Sequence, residues 1–325
     1  MSRFAHVRAQ DAAVSILEHA IDQGRVASSY LFEGPGGVGK ELCAVALAEA
    51  VIGTDAAASS RIRSGAHPDV RVFLPRDSGM GNIKVETLRE QILPVAQFAP
   101  FEAKAAFLIF PQADVSFPEH PPESANALLK TLEEPRPGVH FILCSERPDR
   151  LLPTIRSRCQ RLRFGRLPAE TVDSILADRG VDEATRGPAV ALADGRADRA
   201  IALAEGGAEE LLDHALELDE ACTTGNPGSL VRTSEALARG DADLVTVLEA
   251  FVLFSRDLAA AALGLPDEDL AFRHRADVVR ERAARISPAS ASGRAELVRD
   301  ALVALERNAN RQTVLDSLLY NARMG

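Results

Sequence analysis

Apolar residues recur at helical spacing from Asp11 to Gly24, where Ala13, Leu17, Ala20 and Ile21 share a face and a glycine closes the segment. The period then changes. Tyr30-Leu31-Phe32 is a short unbroken apolar run, as expected of a strand covered on both faces. Further runs at Val70 to Leu74, Ala105 to Phe110 and Val139 to Cys144 predict more strands, with helices over Leu42 to Val51 and Lys84 to Gln97. Strands alternating with helices predict an α/β fold, a parallel sheet sandwiched by helices, reaching to about Phe164. Beyond that point no strand is expected. Pro168 to Glu205 reads as short helices broken at Gly180, Gly187-Pro188 and Gly195. After Gly206-Gly207 the Ala/Leu-rich remainder reads as helices, interrupted at Gly225 to Gly228 and near Ser287 to Gly293. No internal repeat is visible.

The first strand runs into GPGGVGKE, Gly34 to Glu41. Strand, glycine-rich loop and helix make the setting in which backbone N–H groups cradle a phosphate. Gly34, Gly36, Gly37, Gly39 and Lys40 are therefore candidate nucleotide-binding residues. The pattern asks for a hydroxyl after the lysine, as a magnesium ligand, and Glu41 stands there instead. A second magnesium-linked position is also altered. Phe107 to Phe110 ends in Pro111-Gln112-Ala113-Asp114 where a P-loop ATPase needs an acidic pair. Two such losses in one chain predict no intrinsic ATP hydrolysis. Lys40 and the loop's N–H groups still suit an anion, and a turn kept for packing alone stands as the other reading.

Composition narrows the class further. The chain has 325 residues, 46% hydrophobic and 26% charged, enough for two or three domains with their own cores. A net charge of −10 argues against a protein that coats nucleic acid alone, because non-specific affinity comes from Lys and Arg neutralising phosphates. Cys43, Cys144, Cys159 and Cys222 are scattered with no CxxC pair, which predicts neither a zinc ribbon nor a disulfide framework. The N-terminus lacks the apolar stretch of a signal peptide and no run approaches the ~18 apolar residues of a membrane span, so a cytoplasmic location is expected.

Ser124 to Pro135, SANALLKTLEEP, predicts a helix with Ala125, Leu128, Leu129 and Leu132 on one face and Pro135 ending it. A strand and RPDRLLPTIRSRCQRLRF follow. Seven arginines fall between Arg147 and Arg166, which fits an anionic partner or a salt-bridged surface. With YLFEGPGGVGK, AHPD, SANALLKTLEEP, LLPTIRSRCQ and the late NANRQ, the whole chain resembles the clamp-loader branch of the AAA+ proteins.

The resemblance implies an AAA+ core over residues 1–165, a helical lid over 166–206 and a helical collar over 207–325 that joins an oligomer. It implies a non-motor subunit of the bacterial sliding-clamp loader. In such a subunit Arg158, in the Ser157-Arg158-Cys159 triplet, acts as an arginine finger on the ATP of the adjacent subunit. The planar, permanently charged guanidinium suits that role. The implied partners are the gamma or tau ATPase subunits and the delta subunit, with the sliding clamp and primer-template DNA reached through the complex. Ser145 and Arg199 fall at the family's sensor positions, structural rather than catalytic in a chain without hydrolysis. Asn308 and Asn310 resemble a turn whose amides cap helices. Family members often carry a four-cysteine zinc module after the P-loop helix. Ile52 to Gly65 holds no cysteine, so no zinc and no required cofactor is expected, ATP or ADP binding being left open. Val115 to Glu123, VSFPEHPPE, reads as a proline-rich surface loop whose lone His120 has no ligand partners. An ATP-hydrolysing gamma- or tau-like motor is the alternative. A small-molecule P-loop kinase would leave the arginine triplet and the helical last third without a purpose.

Overall fold

The computed structural model describes residues 3–53, 55–75, 81–120, 122–224, 226–240, 243–307 and 309–324. The chain divides into two compact units, Met1–Thr171 and Val172–Gly325.

The first unit is built on a five-stranded parallel sheet. Its strands are β1 (Ser29–Glu33), β2 (Val70–Val72), β3 (Ala106–Phe110), β4 (Val139–Ser145) and β5 (Gln160–Arg163), in the order β2-β3-β4-β1-β5. Every residue of β1, β3 and β4 is buried, which is why the three read as unbroken apolar runs. Leu31 pairs with Leu143 and Glu33 with Ser145, so β1 and β4 end level with each other beside the glycine-rich loop. The edge strand β5 was not expected. Only Leu162 of its Gln-Arg-Leu-Arg is buried, and a strand covered on one side at one position carries no apolar run.

Helices flank the strands. Asp11–Asp22 packs Ala13 and Leu17 inward. Lys40–Ile52 follows the loop and buries Cys43, Ala44 and Leu47. Glu123–Glu133 is the expected amphipathic helix, with Ala125, Leu128 and Leu132 buried and Leu129 partly so. The helical segment foreseen over Lys84 to Gln97 is present from Val85 to Gln97, with a π-helical stretch, Leu88–Ile92, in its middle. Where the family's zinc module was weighed, Ala56–Arg63 forms a short helix capped by the Asp55 carboxylate.

The AHPD segment acts as a clasp before β2. The buried Asp69 carboxylate accepts from the backbone N–H groups of Phe101, Glu102 and Ala103, pinning the loop that leads into β3. Burial works against its charge, but the three N–H donors and neighbouring His67 win and hold the carboxyl below its ordinary range. The buried His67 bridges onward to Glu102, which also pairs with Arg61.

The proline-rich segment is less free than a surface loop. Phe117 is fully buried against Phe110, Pro118 bridges to Leu151, and the Glu119 N–H donates to Arg150 O at 2.7 Å. Its Pro121 lies outside the described residues.

In the second unit the described residues are helical, without strands. Its α-helices are Ala169–Asp178, which begins just before the boundary, Glu183–Ala193, Ala197–Ala202, Ala208–Thr224, Pro227–Arg239, Leu244–Ala262, Ala276–Ala283, Pro288–Glu306 and Arg311–Met324. The break expected at Gly187-Pro188 is absent, since Glu183–Ala193 runs through it. Gly187 has another reason to be small: a Cβ there would lie 2.5 Å from the guanidinium of Arg273. The interruption near Ser287 to Gly293 is narrower than expected. Ser287 caps the helix that begins at Pro288, and Gly293 lies within it. At the interruption placed over Gly225 to Gly228, Asn226 caps the next helix and Gly228 already belongs to it, while Gly225 lies outside the described residues. Long helices bury Leu248, Phe251, Phe254 and Leu258 with Phe272 and Val298. A buried network joins Arg294 to Asp219 at 2.6 Å and to Thr223 at 3.2 Å.

Candidate functional site

The glycine-rich loop is closed upon itself. Gly34 takes φ +151°, and a Cβ there would sit 2.2 Å from the carbonyl oxygen of Phe164, so only glycine fits beneath β5. Gly37 (φ +64°) and Gly39 (φ +95°) turn the chain into the helix, while Gly36 is buried in the loop. The Lys40 ammonium is also buried. It donates to Gly34 O at 2.6 Å and to Pro35 O, carbonyls of its own loop. Glu41 lies in the first turn of the helix, exposed in surface terms. The protein around it nonetheless pushes its carboxyl above the usual range.

Four ties fix the loop to its surroundings. The Gly34 N–H donates to Ser145 O at 3.1 Å, and the Phe164 N–H to Glu33 O at 2.7 Å. The side-chain amide of Gln10 donates to Gly165 O (2.8 Å) and Val38 O (3.3 Å), while its Oε1 accepts from the Gly165 N–H (3.0 Å). Buried Glu33 pairs in a two-pronged way with Arg161 of β5. Neither Gln10 nor the Glu33–Arg161 pair was foreseen, because each joins segments more than a hundred residues apart.

The acidic pair missing from the sequence would have followed β3. β3 ends at Phe110, Pro111-Gln112 follow, and Asp114 is only 8% exposed in the short helix Ala113–Ser116. Ser145 ends β4 beside the loop, and its fully buried hydroxyl has no hydrogen-bond partner among the described residues. Arg199 belongs to the other unit. Its side chain is 10% exposed and pairs through Nη1 with Glu249 of Leu244–Ala262, leaving Nε and Nη2 without partners among the described residues.

The arginine triplet is built the opposite way. The turn after Pro153–Arg156 is anchored by Leu151, Ile155 and Cys159, all buried. Burial pushes the Cys159 thiol up to about 12, so this cysteine serves as an inert anchor. Between two anchored residues, Arg158 faces out. Its Nη1 donates to Thr154 O at 2.9 Å and its Nη2 pairs with the Glu133 carboxylate. Among the other arginines, Arg156 pairs with Asp149 and Arg161 with Glu33, the arrangement of a salt-bridged surface. Of the late amides, Asn310 caps the last helix, its Oδ1 accepting from the Thr313 N–H at 3.1 Å, and Asn308 lies outside the described residues.

Cys43, Cys144 and Cys222 are buried and free, each thiol raised by burial. Among the described residues no group of three or more His, Cys, Asp or Glu side chains could hold a metal ion, and no helix is long and apolar enough to cross a membrane.

A sequence model of the family described as "DNA polymerase III, delta subunit" matches residues 9–168. The DNA polymerase III subunit delta' of Bacillus subtilis is 31% identical over 180 residues, 53% of this chain and 52% of that protein. The delta' subunit of Pseudomonas aeruginosa is 34% identical over 143 residues, 41% of this chain and 42% of that protein. A gamma/tau subunit of Mycobacterium tuberculosis (strain H37Rv) is 33% identical over 187 residues, 54% of this chain and 30% of its own length. The chain thus spans about half the length, or less, of the relatives it matches. Among solved structures, a gamma subunit-related protein from Thermotoga maritima aligns over 95% of this chain and 98% of its own, at 18% identity and a TM-score of 0.44, too loose a likeness to weigh beside the sheet itself. The likeness thus lies in residues 9–168, just under half of the chain, which match the DNA polymerase III delta-subunit family and resemble delta' and gamma/tau subunits.

Proposed function

We propose that the chain is a delta-prime-like, non-motor subunit of the bacterial sliding-clamp loader. It stands in the ring as a rigid neighbour and supplies Arg158 to the ATP held by the adjacent ATPase subunit. The observation that carries this reading is the placement of Arg158: a turn locked into the core by Ile155 and Cys159 presents a guanidinium at the surface. The chain's own nucleotide residues point the other way. Lys40 is held by Gly34 O and Pro35 O, Glu41 puts a carboxylate where a hydroxyl would ligate magnesium, and Pro111-Gln112 replace the second acidic position. These residues do not fit magnesium-dependent hydrolysis, and no step is assigned to this loop.

The partners under this reading are the gamma or tau ATPase subunits and the delta subunit, with the sliding clamp and primer-template DNA engaged through the complex, in the cytoplasm. Residues 166–206 would form the lid and 207–325 the collar. The kink at Gly206, with φ +122°, lies at that boundary, and the Arg199–Glu249 pair crosses it. Arg199 then ties lid to collar, and Ser145 supports the loop.

The test is the DNA- and clamp-stimulated ATPase rate of the reconstituted loader, with assembly checked by gel filtration. Arg158→Ala is expected to lower turnover by about 10³-fold or more in an intact complex, the scale of an arginine finger supplied in trans. An unchanged rate would remove the finger role. The alternative, a gamma- or tau-like motor, would require ATP turnover by the purified chain, which the altered Glu41 and Pro111-Gln112 positions argue against.

A further inference from the structure

Arg158 is held by two segments at once. Nη1 donates to the carbonyl of Thr154, in the short helix Pro153–Arg156 just before it, and Nη2 pairs with the carboxylate of Glu133. Glu133 is the last residue of Glu123–Glu133, whose Leu128 and Leu132 are buried in the same core that takes Ile155. Both sides of the pair therefore stand on backbone fixed by packing. A guanidinium is planar, and tying each terminal nitrogen to a different segment sets the direction of that plane. Its remaining N–H protons have no hydrogen bond to the described residues beyond these two and stand available to an acceptor outside the chain.

We infer that Glu133 is a positioning residue: it braces Arg158 before the neighbouring subunit's nucleotide arrives. The inference rests on the finger reading above. Its size follows from exposure, since the two side chains are 32% and 48% exposed and an ion pair in that setting is screened. Such a pair orients a long, rotamer-rich side chain; it does not supply the charge stabilisation that the arginine itself brings. A carboxylate next to a finger could instead hold it back from phosphate, and the two roles move the rate in opposite directions.

The experiment compares reconstituted loaders carrying the wild-type chain, Glu133→Ala, Glu133→Gln, Arg158→Ala and the Glu133→Ala/Arg158→Ala double variant. The readouts are kcat and KM for ATP with clamp and primed DNA present. Glu133→Ala is expected to lower kcat by about fivefold, the rate equivalent of a well-placed exposed ion pair, with KM unchanged. Glu133→Gln, whose amide oxygen still accepts, should stay within about twofold of wild type. On the Arg158→Ala background, Glu133→Ala should change nothing, because what it positions is gone. A raised or unchanged kcat for Glu133→Ala overturns the brace, the raised rate meaning that the contact restrains the arginine. An equal loss on both backgrounds also overturns it, as a general structural effect. If Arg158→Ala itself leaves the rate intact, the finger reading has failed, and the brace falls with it.

Discussion

The loop after β1 and the turn before β5 flank neighbouring strands of one sheet, yet their cations are arranged in opposite senses. In the loop, Lys40 is buried and donates to the carbonyls of Gly34 and Pro35, inside its own seven-residue turn. In the turn, Ile155 and Cys159 are buried and Arg158 is turned outward to Thr154 and Glu133. A cation enclosed by its own loop serves the chain's stability. One held at the surface on a rigid base is available to a neighbour. Under the proposed function the difference makes the two sites separable by mutation, the turn governing turnover of the complex and the loop the stability of the fold.

The largest effect tests the turn. Arg158→Ala should remove about 10³-fold or more of the loader's stimulated ATPase while leaving the thermal midpoint of the isolated chain nearly unchanged, because an exposed ion pair contributes about 1 kcal/mol or less. A comparable loss of rate from Lys40→Met would break the comparison by showing that the loop takes part in turnover.

The loop's own test is steric. Gly34→Ala would place a methyl group 2.2 Å from Phe164 O at a backbone angle that glycine alone adopts easily, so the β1 and β5 ends must part. We expect about 3 kcal/mol of destabilisation, read from chemical denaturation, the upper range for overpacking a well-filled site. Lys40→Met, which leaves two loop carbonyls without their donor, should cost about 1.5 kcal/mol.

Asp69 provides a control, because its clasp lies beside β2, at the edge of the sheet opposite β5. Asp69→Asn should cost about 2 kcal/mol at neutral pH, since the amide is a weaker acceptor for three N–H groups and brings donors of its own. The folded-state carboxyl lies below its ordinary value, so its contribution is complete above the unfolded value near pH 4 and is lost as the pH falls through the lowered folded value. The wild-type midpoint should therefore converge on that of Asp69→Asn in acid. A constant gap between them down to pH 2 would show that the clasp does not act through charge. Asp69→Asn should leave the relative weight of loop and turn unaltered.

How much of this was legible in the sequence follows from where each contact lies. β1, β3 and β4 are buried on both faces and so appear as apolar runs, and the face of Glu123–Glu133 shows at helical spacing. The loop and the arginine triplet are contiguous motifs. β5 was hidden because three of its four residues face solvent. The contacts that decide what the motifs do were also hidden: Arg158 reaches Glu133 across 25 residues, Arg161 reaches Glu33 across 128, and Gln10 reaches Gly165 across 155. Polar pairs of that separation leave no periodic trace. Gly187 shows the same limit from the other side, since its need for a small residue comes from Arg273 and not from its own helix.

The smallest effect sharpens the account of the loop. Ala9 takes φ +53°, a left-handed conformation that costs an L side chain about 1–2 kcal/mol, immediately before Gln10 ties the loop to Gly165. The strain is tolerated because the following side chain makes three hydrogen bonds, to Val38 and to both backbone groups of Gly165. Ala9→Gly relieves the strain but adds about 0.4–1 kcal/mol of unfolded-chain entropy. The net expectation is a gain of about 0.5 kcal/mol, a rise of one or two degrees in the thermal midpoint. If Gln10 is what holds residue 9 in that conformation, the gain should disappear on a Gln10→Ala background, where the N-terminal segment is free to leave the left-handed region. A gain that persists there would place the origin of the strain outside the Gln10 contacts, and the loop's enclosure would owe less to this segment than its hydrogen bonds imply.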